Sequence, residues 1–250
     1  MLILAAIAIY VIWTLATYGL EGRKRTFLKP GSSTDRLVYA IVTNLLIGTL
    51  GSTLLIRWFV LQSALSWPGF GTPRVLLSVA GGILLGLVLL ALQRPVTWNP
   101  TVLLNGYAQT LVVSIAEVLV CWAVLGAAVR FGTSSLGSLS SIIIGLVVAS
   151  VAFGAYHLAH TAPFNTPRVV IGLSAVGLAT GLFFVISNDI YGTIAFHNFF
   201  AVKGVTGSLS KQGQLDHLRR PRPALLAMAV VALALLILSD VLLVRSVLLA

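Results

Sequence analysis

Long apolar runs, broken by charge, proline and glycine, set the pattern of this chain. They predict eight membrane segments, at about 2–20, 37–56, 75–92, 103–129, 139–161, 168–187, 190–202 and 223–248. The runs are rich in Leu, Ala, Val and Gly and do not alternate, which points to helices and away from a closed β-barrel. The seventh run is short for a span, so tilt, burial by its neighbours, partial insertion and a count of six or seven stay open as alternatives. The polar loops, at most about 15 to 20 residues, are too short for a folded module. The expected fold is therefore all-α, a polytopic membrane helical bundle of about eight helices, with residues 1–250 as a single integral membrane domain.

Composition agrees. The chain is 58% hydrophobic and 9% charged, where a soluble domain carries about 25% charged residues. Its net charge of +10 would suggest nucleic acid in a soluble protein; here the basic residues read as topology signals, and no nucleic-acid partner is expected. With the N-terminus outward, the inner loops hold Arg23, Lys24, Arg25, Lys29, Arg36, Arg94, Arg168, Lys203, Lys211, Arg219, Arg220 and Arg222. The outer side holds Arg57, Arg74, Arg130 and Arg245. Twelve against four accounts for all 16 basic residues and predicts N-out and C-out with cytoplasmic basic loops, in the plasma membrane if the source is prokaryotic. The basic stretch from Lys203 to Arg222 is a topology determinant or a contact for anionic headgroups. The first run lacks a basic leader and a small-residue cleavage site, so it reads as a retained helix. Cys121, the one cysteine, reads as a small buried hydrophobe.

Chemistry enters with Glu117, the one charge between Leu103 and Val129. A carboxylate at bilayer depth costs a few kcal/mol or more and marks a functional-site candidate. Its companions are His157 and His160, three apart in FGAYHLAHT, and His197 in TIAFHNFFAV. A carboxylate and imidazoles converging in a dry site can hold and deprotonate a water. The alternative is that each polar group plugs a helix–helix contact. A carboxylate with two histidines is also a zinc set of the catalytic kind, but HExxH is absent; no cofactor and no metal ligand is expected. Ser114 lies outside any GxSxG pattern and reads as a backbone-bonding serine. Asp240, close to Arg245, reads as an interfacial group. The absence of an internal repeat counts against a transporter or proton relay.

The order of these groups resembles the CPBP family: a glutamate in one helix, Phe-x-x-x-His in the next, a histidine in a short late helix. That family comprises the CAAX prenyl endopeptidases and the bacteriocin-processing, Abi-type enzymes, with motifs EExxxR, FxxxH and Hxxx(N/D). Here the first motif falls on Glu117-Val118-Leu119-Val120-Cys121-Trp122, so Val118 replaces the second acid and Trp122 the arginine. The second is intact from Phe153 to His157. The third keeps His197 but has Ala201 at the Asn/Asp position, with Asn198 as the nearest amide. The resemblance covers about residues 103–202.

It implies a CPBP-like core and an intramembrane, glutamate-type endopeptidase. Glu117 and His157 would activate a water against a membrane-associated peptide or protein, and His197 with Asn198 would stabilise the oxyanion. His160 and Phe153 would support the site. The altered motifs leave a second reading: a non-proteolytic relative, an accessory or assembly subunit of a membrane protein complex.

Overall fold

Apolar runs and polar breaks resolve into eight helices in the computed structural model, which describes residues 1–23, 33–62, 69–70 and 73–248. They are α1 (Leu2–Gly22), α2 (Thr34–Leu61), α3 (Val75–Leu92), α4 (Pro100–Gly132), α5 (Ser138–Ala159), α6 (Pro167–Ser187), α7 (Ile190–Lys211) and α8 (Pro223–Arg245). All but α7 are long and apolar enough to cross a membrane, which makes seven candidate spans in an all-α, polytopic bundle.

The helix ends are written locally. Asn99 caps α4 by accepting from the amides of Thr101 and Val102, with Pro100 in the first turn. Between α6 and α7, Asn188 takes a left-handed turn at φ 50°, which asparagine tolerates. Asp189 then caps α7, its Oδ1 accepting from the Gly192 amide at 2.7 Å.

Helix α4 is the axis of the bundle. Its apolar stretch is 94% buried, against 50% or less in every other span. Glu117 therefore stands on the most enclosed of the candidate spans. Helix α7 packs against α3, α4 and α6. Its crossing with α3 runs backbone to backbone: a Cβ on Gly82 would lie 2.3 Å from the Gly192 carbonyl oxygen, and one on Gly192 2.0 Å from Ser78 Oγ. Small residues let membrane helices approach this closely.

The seventh run was expected to stop near residue 202, but the helix continues to Lys211 and is 22 residues long. The extension is polar, yet Val205, Thr206, Ser208 and Leu209 are buried, and the Thr206 hydroxyl returns to the Val202 carbonyl. Burial on one side keeps a helix where composition alone suggested a loop. At that end of the bundle Lys203 Nζ reaches the Arg94 carbonyl at 2.7 Å, and Asn105 Nδ2 reaches the carbonyls of Leu218 and Arg220. At the opposite end Arg57 bonds the Leu243 carbonyl, and Gly132 lies against Ile3. Lys24, Arg25 and Lys29 lie outside the described residues.

Candidate functional site

Four helices each deliver one side chain to the same point: α4 Glu117, α5 His157, α6 Thr180 and α7 His197. Glu117 is the last residue before α4 widens into a π-helical stretch, Val118–Gly126. Such wide turns recur at functional sites. Its side chain is 4% exposed. The Glu117 Oε2 atom lies 3.0 Å from His197 Nε2, and Oε1 lies 3.7 Å from His157 Nε2.

With both rings neutral, the hydrogen bonds select which ring nitrogen carries the proton. His157 Nδ1 lies 2.9 Å from the Phe153 carbonyl, which only accepts, so Nδ1 carries the proton and neutral His157 presents a bare Nε2 to Glu117. His197 is the reverse. Its Nε2–H donates to the carboxylate, and its Nδ1 accepts from the Thr180 hydroxyl at 2.8 Å. Two acceptors, Glu117 Oε1 and His157 Nε2, therefore face each other across 3.7 Å. A water that donates to one or both satisfies that pair, as polar groups beyond direct hydrogen-bond reach commonly require.

These atoms line a cavity of about 220 Å³. Phe153 sits edge-on to both His157 and His197, with ring centroids 4.8 and 5.0 Å away. Phe164, Phe200 and Ala201 extend the apolar wall, and Gln93 and Lys203 lie toward the basic end of the bundle. Ala201 thus lines the cavity where the resemblance called for Asn or Asp.

A second acid–histidine pair adjoins the first, and the sequence did not reveal it. Glu21, at the end of α1, is 1% exposed, and its Oε2 lies 3.1 Å from His160 Nδ1. The His160 ring stacks on His157 at 5.1 Å. Its Nε2 is buried with no partner, and the residue lines the cavity. Glu21 stands beside the basic run GRKR, and nothing in that stretch signals a buried partner. Thr180 was equally invisible, because hydroxyls in membrane helices are common and nothing in sequence says which one meets a histidine.

Asn198 stands elsewhere. Its Oδ1 accepts from Ser114 Oγ at 2.9 Å and its Nδ2 donates to the Tyr107 carbonyl at 2.9 Å, a strap between α7 and α4. It is not among the residues lining the cavity. Cys121 is buried in the apolar core. Asp240 was read as interfacial; it is instead fully buried, held by Arg245 Nε and Nη2 at 2.9 and 2.7 Å and by the Tyr191 hydroxyl at 2.7 Å. The π-helical turn over Asp240–Arg245 brings residues five apart into register, which sequence spacing does not announce. Among the described residues, no set of three or more His, Cys, Asp or Glu side chains is placed to hold a metal ion.

The Thr180 bond carries a prediction. Thr180→Val keeps the side-chain shape but removes the donor to His197 Nδ1. In ¹⁵N-histidine-labelled protein, the bare Nδ1 of His197 is expected to shift downfield as it loses its hydrogen bond, with Nε2–H kept by Glu117, while His157 stays Nδ1–H. An unchanged His197 signal would contradict the assignment.

No family model, no curated protein and no solved structure matches the chain. What the site can do follows from its geometry.

Proposed function

We propose that the chain is an intramembrane, CPBP-like glutamate-type endopeptidase that hydrolyses a peptide bond of a membrane-associated substrate. The observation that carries this reading is the pair of facing acceptors, Glu117 Oε1 and His157 Nε2, on the wall of one cavity. A water between them attacks the peptide carbonyl and gives up its proton to the pair, the general-base arrangement. The carbon–nitrogen bond then breaks, and the amine leaves with a proton returned from the site.

The roles differ in one respect from what the resemblance implies. His197 spends its Nε2–H on Glu117, so it acts as a positioning residue that holds Oε2 and turns Oε1 toward the water. His160, which lines the same cavity and has an Nε2 without a hydrogen-bond partner, is assigned the oxyanion or the leaving amine. With α7 crossing beside the seven apolar helices, the basic loops face the cytoplasm on this reading and both termini lie outside.

A second reading has its own support. With Ala201 on the cavity wall and the Asn198 amide tied to Ser114 and Tyr107, the expected oxyanion amide is absent. The chain would then be an accessory or assembly subunit of a membrane protein complex.

One experiment separates the two. Purified protein in proteoliposomes is given a broad set of membrane-associated peptides, alongside His157→Ala. The protease reading expects cleavage that the variant loses. Cleavage of nothing, together with co-purification of a defined complex that His157→Ala leaves intact, would favour the subunit.

A further inference from the structure

A second cavity, larger than the first, lies on the other side of Trp122. It has a volume of about 680 Å³ and runs between α4, α5 and α6, within the range of ligand sites. Its inner wall is apolar, with Ile142, Leu146 and Phe184, and its rim is polar, with Arg130, Ser138 and Asn188.

Two features ask for a ligand. The first is charge: no acid lines the groove among the described residues, and no carboxylate there pairs with the exposed Arg130 guanidinium. The second is Trp122, which is 3% exposed, with an Nε1–H that is buried and has no partner. That donor faces Gly181 on the groove wall, where a Cβ would come within 2.5 Å of Nε1. Buried donors are nearly always satisfied, and indole N–H can only donate. A ligand for this groove therefore brings an anionic group to the rim, an acceptor to the floor and apolar bulk between them.

We propose that the groove binds an anionic phospholipid, with its phosphate at Arg130, its chain along Ile142 and Leu146, and an ester oxygen accepting from Trp122. The neighbouring surface argues for arrival from the bilayer. Val147 on α5 and Leu182 and Ile186 on α6 are 45%, 51% and 76% exposed, an apolar surface on the helices that flank the groove. The lipid site shares a wall with the catalytic candidate, because the Trp122 ring lies 5.2 Å from Phe153 and 5.6 Å from His197. The assignment holds whether or not the protein cleaves peptides.

The test is native mass spectrometry of the full-length protein titrated with phosphatidylglycerol or phosphatidylcholine. Phosphatidylglycerol is expected to be retained more strongly. Arg130→Gln should weaken its retention about tenfold or more, the usual effect of removing a charged hydrogen-bond partner. Arg130→Lys should recover part of the loss, and Trp122→Phe, which removes the N–H together with part of the ring, should cost about threefold or more. Arg168→Gln, at the other end of α6, should change nothing. The proposal is overturned if both lipids are held equally, or if the Arg130 and Arg168 variants lose lipid alike. It is also overturned if soluble glycerol phosphate displaces the lipid, which would make the headgroup alone the ligand. Should Trp122→Phe fail to fold, the exposed Arg130 pair decides the matter.

Discussion

Glu117→Gln is expected to abolish peptide cleavage while leaving the protein folded. The amide oxygen can still accept from His197 Nε2–H, so the 3.0 Å link between α4 and α7 survives. The amide nitrogen turns toward His157 and donates to its bare Nε2 across the 3.7 Å gap. That contact removes both acceptors from the water. The loss should be about 10²–10⁴ in turnover, the range for removing a general base, with no drop in the unfolding midpoint. The contrast is the useful part, because a residue that merely holds helices would lose neither stability nor activity. If Glu117 were only a plug, Gln would be tolerated and any remaining activity would be unchanged. For an assembly subunit, the same variant should assemble normally.

The largest stability effect is expected at the second pair. His160→Leu leaves the Glu21 carboxylate, 1% exposed, without the imidazole that stands 3.1 Å away. Removing one partner of a buried ion pair costs about 3–5 kcal/mol, because the other charge stays desolvated. Replacing both partners by uncharged groups is far milder. The double variant Glu21→Gln/His160→Leu should therefore recover most of the lost stability, read as the unfolding free energy in mixed micelles. Equal losses in the single and the double variant would mean that the pair contributes packing and not charge balance.

The seven apolar spans were legible because about 20 apolar residues in a row have few alternatives to a membrane helix. The convergence of Glu117, His157 and His197 was suggested by their isolation in apolar segments, and the geometry unites them. What sequence could not supply is instructive. The end of α7 was misjudged because Lys203 and Lys211 mark polarity, while the buried side of Val205, Thr206 and Leu209 is a property of packing. Glu21 stood beside a basic run, with nothing in sequence to place it next to His160. Asp240, beside Arg245, looked interfacial, and a π-helical turn brings the half-exposed arginine onto the buried Asp240 carboxylate in a bidentate pair. In each case the missing information was which face of a helix meets which neighbour. Of the four buried carboxylates among the described residues, Glu21, Glu117 and Asp240 lie in or beside such turns, while Asp189 caps α7. Wide turns re-aim side chains away from ordinary helical spacing, so periodicity misses them.

The roles also depend on hydrogen-bond partners that sequence leaves undefined. His197 was given an oxyanion role by its position in the third motif. In the structure its two nitrogens face Glu117 and Thr180, which recasts it as the residue that aims the carboxylate. His160, by contrast, looked like a helical neighbour of His157; it lines the cavity and has a ring nitrogen without a hydrogen-bond partner.

The central claim is that Glu117 and His157 share a water that attacks a peptide carbonyl. Cleavage of a membrane-associated peptide in ¹⁸O-labelled water, with purified wild-type protein in proteoliposomes and the Glu117→Gln and His157→Ala variants beside it, tests this most directly. The account predicts one ¹⁸O in the new carboxyl-terminal carboxylate for the wild type and product at background level for both variants. Equal product from wild type and variants, or none from the wild type across the full peptide set, would contradict it.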